Sequence, residues 1–228
     1  MGSQFTAPAF FAATLMAYAL SRWLYARHRR FLFSPMVLTP ILLVAQVEAT
    51  HTSFAVYFQD TRWLTWLLGP ATIAFAYPIY TQRDLIRRYP WTLAVGVLSA
   101  LVLGLASSWL LARVFALPPE LTKSLLPRSV STPFAVSATT VWGGDQNLTV
   151  ICVMITGIFG ILIGDALLGR LKLRSGISRG AAWGASAHGL GTTKAYELGM
   201  EEGTVASMVM VFAGVAMVLL APVLGWLV

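Results

Sequence analysis

Long apolar stretches separated by clusters of arginine limit this chain to one kind of environment. Residues 5–25, 31–47, 63–80, 91–117, 146–169 and 204–228 are dominated by aliphatic and aromatic side chains. Several reach the roughly 20 residues that a helix needs to cross the hydrocarbon core of a bilayer. Only 11% of residues are charged and 57% are hydrophobic, whereas a soluble domain carries about 25% charge. The 228 residues could bury an ordinary core but have too few charges to coat one. No strand-like alternation runs through the chain, so helices rather than a barrel satisfy its backbone. The expected fold class is all-α: a polytopic helical integral membrane protein, one transmembrane domain over residues 1–228.

The formal charge of +7 does not point to nucleic acid, because the basic residues sit in short clusters beside apolar segments. That is the pattern of cytoplasmic loops touching anionic lipid. Cys152 is the single cysteine and excludes an internal disulfide. Residues 5–25 carry their basic cluster after the apolar run rather than before it, so they read as a first anchor and not as a cleavable signal. The positive-inside rule places the clusters at residues 22–30, 83–88 and 170–179 in the cytoplasm. The spans then alternate, with residues 48–62 as a polar outer loop and the span 91–117 ending outside. The span 146–169 must end inside and so must start outside. Residues 124–144 therefore begin and end on the outer side, and a simple crossing would break the parity.

The residue types in that stretch, "SLLPRSVSTPFAVSATTVWGG", agree with a broken element that enters and returns. Pro127 and Pro133 each remove a backbone donor and disfavour helix at the preceding residue. Non-helical backbone at membrane depth survives only inside protein or beside a wet cavity. The alternative is a kinked ordinary helix whose hydroxyls bond its own backbone. Residues 178–199 behave similarly from the other side, with Gly184, Gly189 and Gly191 around His188 and Thr192-Thr193. Close helix packing through small residues is the alternative there. Gly69-Pro70 and Pro78 break the span 63–80 as well. Two interrupted polar elements approaching from opposite faces are the pattern of secondary transporters, including those built on inverted repeats.

The segments "LLGPATIAFAYPIY", "SLLPRSVSTPFAV", "LTVICVMITGIFGILIG" and "ISRGAAWGASAHGLGTTKAYELG", in this order and spacing, resemble the LrgB/CidB family, which includes YohK-type proteins. The likeness is strongest over residues 33–228. It implies a polytopic inner-membrane protein, described for the family as antiholin- or holin-like and as modulating murein hydrolase activity and autolysis. It also implies transport of small carboxylates: a plastid relative exchanges glycolate and glycerate, and bacterial members are linked to pyruvate. A small membrane partner of the LrgA/CidA type is usual. The common "PKSVTTP" reads Pro127-Arg128-Ser129-Val130-Ser131-Thr132-Pro133 here, with the charge kept. "ASHGIGTARA" reads Ala185-Ser186-Ala187-His188-Gly189-Leu190-Gly191-Thr192-Thr193-Lys194-Ala195, with lysine as the basic residue. Asp165 stands where the family is usually apolar.

The expected function is a secondary carrier of small 2-hydroxy or 2-oxo monocarboxylates, coupled to protons or sodium and self-associated in the bilayer. The rival is a holin-like or antiholin-like regulator. Arg128 is the expected carboxylate anchor, because a charge inside a membrane faces a partner, cavity or substrate by default and its fork suits a carboxylate. Its alternative is a snorkelling residue at the outer edge. Ser129, Ser131, Thr132, Pro133, His188, Gly189, Gly191, Thr192 and Thr193 complete the expected binding set. Gly69, Pro70, Pro78, Pro127 and Gly184 are the expected hinges. His188 could carry a coupling proton or make a packing bond. Lys194 is expected to pair with Glu197 or Glu201. No paired carboxylates, metal-ligand spacing, cofactor motif or nucleophile elbow stands out, so no enzyme is expected.

Overall fold

The computed structural model describes residues 7–225 apart from 29, 75, 172 and 174. The described residues are helical with no strand among them. Their contacts form two compact units, and the division falls after Ala71, inside helix α4 (Leu68–Ala74).

The first unit contains α1 (Ala7–His28), α2 (Pro35–Ala49) and α3 (Phe54–Trp66). Both α2 and α3 lie against α1. Buried Ser21 of α1 donates to the Ala17 carbonyl at 2.7 Å and accepts from Thr39 of α2 at 3.1 Å. Phe10 meets Tyr57 of α3 edge-on, 5.7 Å between centroids. Pro35 starts α2 where its missing N–H costs nothing. Pro40 deprives only the first-turn carbonyl of Met36, so the helix runs through it. Helix α3 corrects the expected outer loop at residues 48–62: Ser53 takes an extended conformation and the helix starts at Phe54. Tyr57 and Thr61, one turn apart, place an aromatic ring and a buried hydroxyl on one face.

The expected span 63–80 is also corrected. Leu67 is a turn between α3 and α4, and α5 (Ala76–Thr81) follows beyond position 75, which lies outside the described residues. Trp66, where α3 ends, is the residue whose carbonyl would need the absent N–H group of Pro70.

In the second unit α6 (Arg83–Arg88) leads into α7 (Pro90–Val114). Helices α7, α10 (Gln146–Leu171) and α12 (Met200–Leu224) are each long and apolar enough to cross a membrane. Exposed Ile151, Ile155, Phe159 and Ile163 give α10 an apolar outer face suited to lipid. Helix α12 is buried without interruption from Glu202 to Met210, which explains why it is apolar all round.

Between α7 and α10 the chain forms a helical hairpin. Helix α8 (Pro119–Leu125) and a 3-10 turn (Leu126–Ser129) run in, and α9 (Thr132–Trp142) runs back. Its ends meet: the Asp145 N–H donates to Ser124 Oγ at 2.7 Å, and Thr149 Oγ1 donates to the Ser124 carbonyl at 3.0 Å. Its tip reaches Thr156, ten residues along α10, where the Arg128 guanidinium donates at 3.1 Å. At 1.5 Å per residue this is about 15 Å from the start of α10. The return leg lies along α12, where the Trp142 indole donates to the Ala221 carbonyl at 2.7 Å.

Helix α11 (Gly176–Leu198) is a second hairpin, broken at Ala187 and His188. Successive α10 glycines record its ingoing leg: Gly164 faces Trp183, Gly160 faces Ala187, and Gly157 faces His188. The return leg runs back along α12, with Thr192 beside Met210 and Tyr196 beside Gly203 and Ser207. This hairpin enters from the Leu171 end of α10, and the first enters from the Gln146 end. Their tips arrive at the same level, within one turn of Thr156 and Gly157.

Candidate functional site

The first tip is shaped by its prolines. Pro127 opens a 3-10 turn, and Val130 is extended (φ −108°, ψ 166°) before Pro133 restarts the helix in its first turn. The chain between the two legs has no regular ladder, so side chains there are not drawn to a carbonyl one turn back. Arg128 Nη1 donates to Thr156 Oγ1 at 3.1 Å, and Nη2 donates to Ser107 Oγ of α7 at 3.0 Å. The Nε–H is buried with no partner, as is the Ser129 hydroxyl. Among the described residues no Asp or Glu side chain pairs with Arg128. A guanidinium has five N–H donors, and hydroxyls alone leave its charge unbalanced in a low-dielectric interior.

Arg128 and Ser129 are among the residues that line a cavity of about 240 Å³ between the two tips, while the Arg128 Nε and Ser129 Oγ atoms are themselves fully buried. The polar lining comprises Ser99 and Ser107 of α7, Arg128, Ser129, Thr156 and Ser186. Ala100, Leu103, Gly104 and Ala185 form the apolar wall. The cavity combines one fixed cation, several hydroxyls and a small apolar surface, a composition suited to a small anion with a short carbon skeleton.

Of the expected binding set, Arg128 and Ser129 line this cavity. Ser131 precedes α9, while Thr132 and Pro133 form its first turn, and none of the three lines the cavity. His188 stands at the second tip with φ 38°, a conformation that costs a non-glycine residue energy. It is buried, and its Nε2 lies 3.2 Å from the Val153 carbonyl of α10, so the Nε2–H tautomer donates that bond. Thr192 Oγ1 donates to the His188 carbonyl at 2.9 Å and Thr193 Oγ1 to the Gly189 carbonyl at 3.1 Å. Those hydroxyls therefore close the broken helix on itself. Gly191 lies against the Trp183 carbonyl and Gly184 against the Ala206 backbone.

Lys194 pairs with Asp165 at 3.1 Å and lies 3.8 Å from Glu197. Arg179 pairs with Glu202 at 2.6 Å, tying the base of the second hairpin to α12. A second cavity, about 300 Å³, lies beside these groups and is lined by Asp165, Arg179 and Trp183 among others. Its arginine is already matched by Glu202, so the first cavity is the stronger candidate for binding an anion.

Ser99, Gly104, Ser107, Thr156 and Ser186 escaped the sequence reading. A signal existed for three of them: Ser99, Ser107 and Thr156 are hydroxyls well inside otherwise apolar spans. The spacing Gly176, Gly180, Gly184 likewise marks a close helix contact, realised here against Glu202 and Ala206 of α12.

The model of the LrgB-like family matches residues 14–227. YxaC of Bacillus subtilis (strain 168) is 35% identical over 94% of this chain and 93% of its own length. The antiholin-like protein LrgB of the same strain is 31% identical over 92% of this chain and 91% of its own. The holin-like protein CidB of Staphylococcus epidermidis is 27% identical over 92% of each chain. No solved structure matches to a significant degree. With a family match over almost its whole length, an all-helical fold and helices of membrane-spanning length, the chain is a membrane protein that belongs to the LrgB-like family.

Proposed function

We propose that this protein is a multi-pass inner-membrane carrier of small monocarboxylates of the 2-hydroxy and 2-oxo type, with its binding site where the two hairpin tips meet. The observation that carries the reading is Arg128: a cation at mid-helix depth, braced by Thr156 and Ser107, beside a cavity and with no carboxylate paired to it among the described residues. A structural arginine would be expected to have its own acid, as Arg179 has Glu202. On this reading the basic clusters face the cytoplasm, the first hairpin opens outside and the second opens inside. Alternating access then exposes one central site to each side in turn. Proton or sodium coupling, self-association and a small LrgA/CidA-type partner belong to the same proposal.

The second reading, a holin-like or antiholin-like regulator of autolysis, is favoured by the names of the relatives LrgB and CidB. A lesion-forming protein needs oligomerising spans but no braced internal cation. Reconstitution into liposomes separates the two. The carrier reading predicts saturable uptake of pyruvate or glycolate with no release of a large trapped dye. Dye release without saturable uptake would overturn it in favour of the pore.

A further inference from the structure

The two cavities draw their walls from the same two helices. The one between the tips takes Thr156 from α10 and Ala185 and Ser186 from the ingoing leg of α11. The second takes Asp165, Leu168 and Gly169 from α10 and Arg179 and Trp183 from the same leg. About 14 Å of α10 separates Thr156 from Asp165, at 1.5 Å per residue. Between these levels α10 presents two glycines to the leg. Gly160 lies against Ala187, and Gly164 lies against the far edge of the Trp183 ring. A Cβ at position 164 would stand 2.6 Å from two atoms of that ring, so the indole is seated in the notch that the glycine leaves.

No hydrogen bond fixes Trp183 in that seat. The residue is 1% exposed and its indole N–H has no partner, although a buried tryptophan N–H usually finds one. Trp142 of the first hairpin shows the usual case, donating to the Ala221 carbonyl at 2.7 Å. The Trp183 ring is therefore held by packing alone and can leave its seat without breaking a hydrogen bond. The second cavity, about 300 Å³ and lined by Trp183 itself, gives it room. The backbone around it is tied down. The tip of the hairpin is bonded to α10 through His188 and Val153, and its return leg through the Lys194–Asp165 ion pair at the wall of the second cavity. The ring is thus the part of this seam that is free to move.

We propose that the second cavity is the inner vestibule of the cavity between the tips, and that Trp183, seated on Gly164, is the gate that separates them. This rests on the carrier reading of the site between the tips. With the ring on Gly164, the seam between α10 and the ingoing leg is shut below Ser186. With the ring turned into the vestibule, the notch at Gly164 joins the two spaces on the side that carries the basic cluster at residues 170–179. Alternating access needs such a barrier on each side of a central site, opened one at a time.

The test puts a reporter cysteine in the cavity between the tips, Ser99→Cys in a Cys152→Ser background of the full-length protein. Its reaction with an impermeant thiol reagent is timed with the reagent on one face of sealed membrane vesicles and then on the other. Loss of the ring's packing on Gly164 shifts the balance of closed and open forms by a factor of about 5–30. Trp183→Ala and Trp183→Leu should therefore raise the rate from the face that carries residues 170–179 at least about fivefold, without raising the rate from the other face. Trp183→Leu is the milder change and decides the question if Trp183→Ala is not recovered as a folded protein. A folded variant whose rate from that face matches wild type overturns the inference and leaves the carrier reading standing. An equal rise from both faces marks a loosened protein and also overturns it. A reporter that stays unreactive from both faces in every protein overturns the carrier reading together with the inference.

Discussion

Among the described residues that line the cavity, Arg128 is the one that carries a charge, and its replacement sets the size of the effect. Two of the five guanidinium N–H groups are spent on Thr156 and Ser107, at 3.1 and 3.0 Å. Three of the five donors remain beyond these two bonds, and a guanidinium with free donors binds a carboxylate strongly. Losing one partner of a buried, hydrogen-bonded charge pair costs about 2–5 kcal/mol, or roughly 30-fold to several-thousand-fold in dissociation constant. Arg128→Gln should fall in that range. A single elution peak checks that the variant still folds. Arg128→Lys keeps the charge but cannot hold Thr156, Ser107 and a carboxylate in one plane, so it should be intermediate. Isothermal titration calorimetry with pyruvate reads all three proteins. If both variants bind within about twofold of wild type, the anchor lies elsewhere and the account of the tip is wrong.

Three further outcomes follow from the same geometry. Gly184→Ala puts a Cβ against backbone atoms of Ala206, with Cα at 2.8 Å, and should cost about 1–3 kcal/mol. Gly189→Ala, whose Cβ would meet only the Met210 sulfur at 3.9 Å, should leave the melting temperature unchanged; equal melting of the two variants refutes the close contact. His188→Gln should retain substrate exchange but lose acceleration by a proton gradient if the imidazole carries the coupling proton, and undiminished gradient-driven uptake returns His188 to its bond with Val153. In a Cys152→Ser background, an impermeant thiol reagent added outside should label cysteine at exposed position 120 and not at exposed position 175, and the reverse result inverts the topology.

The hairpin arrangement was legible because parity is a strong constraint. With the basic clusters at residues 83–88 and 170–179 expected on one side and a single span next to each, residues 124–144 were expected to begin and end on the other side, and the meeting of Ser124 with Asp145 and Thr149 agrees with that expectation. Pro127 and Pro133 marked the broken tip because proline acts locally, on its own backbone and the carbonyl one turn back. Helix α3 was less legible because its polar residues, Gln59, Asp60 and Arg62, hide an apolar period that matters only once α1 is beside it. The hydroxyls around Arg128 were harder still. Ser99, Ser107, Thr156 and Ser186 come from three helices, and no spacing along the chain brings α7, α10 and α11 together. The same holds for Gly104, whose purpose appears only opposite Ser129, 25 residues further on.

The central claim is that a carboxylate enters a water-accessible cavity between the two tips. Ser99 lines that cavity and makes no hydrogen bond to Arg128, so a cysteine there reports on the space without disturbing the anchor. Ser99→Cys in a Cys152→Ser background should react with a small water-soluble thiol reagent, and pyruvate should slow the reaction severalfold. The protection should vanish when Arg128→Gln is added. Reaction at the same rate with and without pyruvate, in protein that still carries Arg128, would contradict the account.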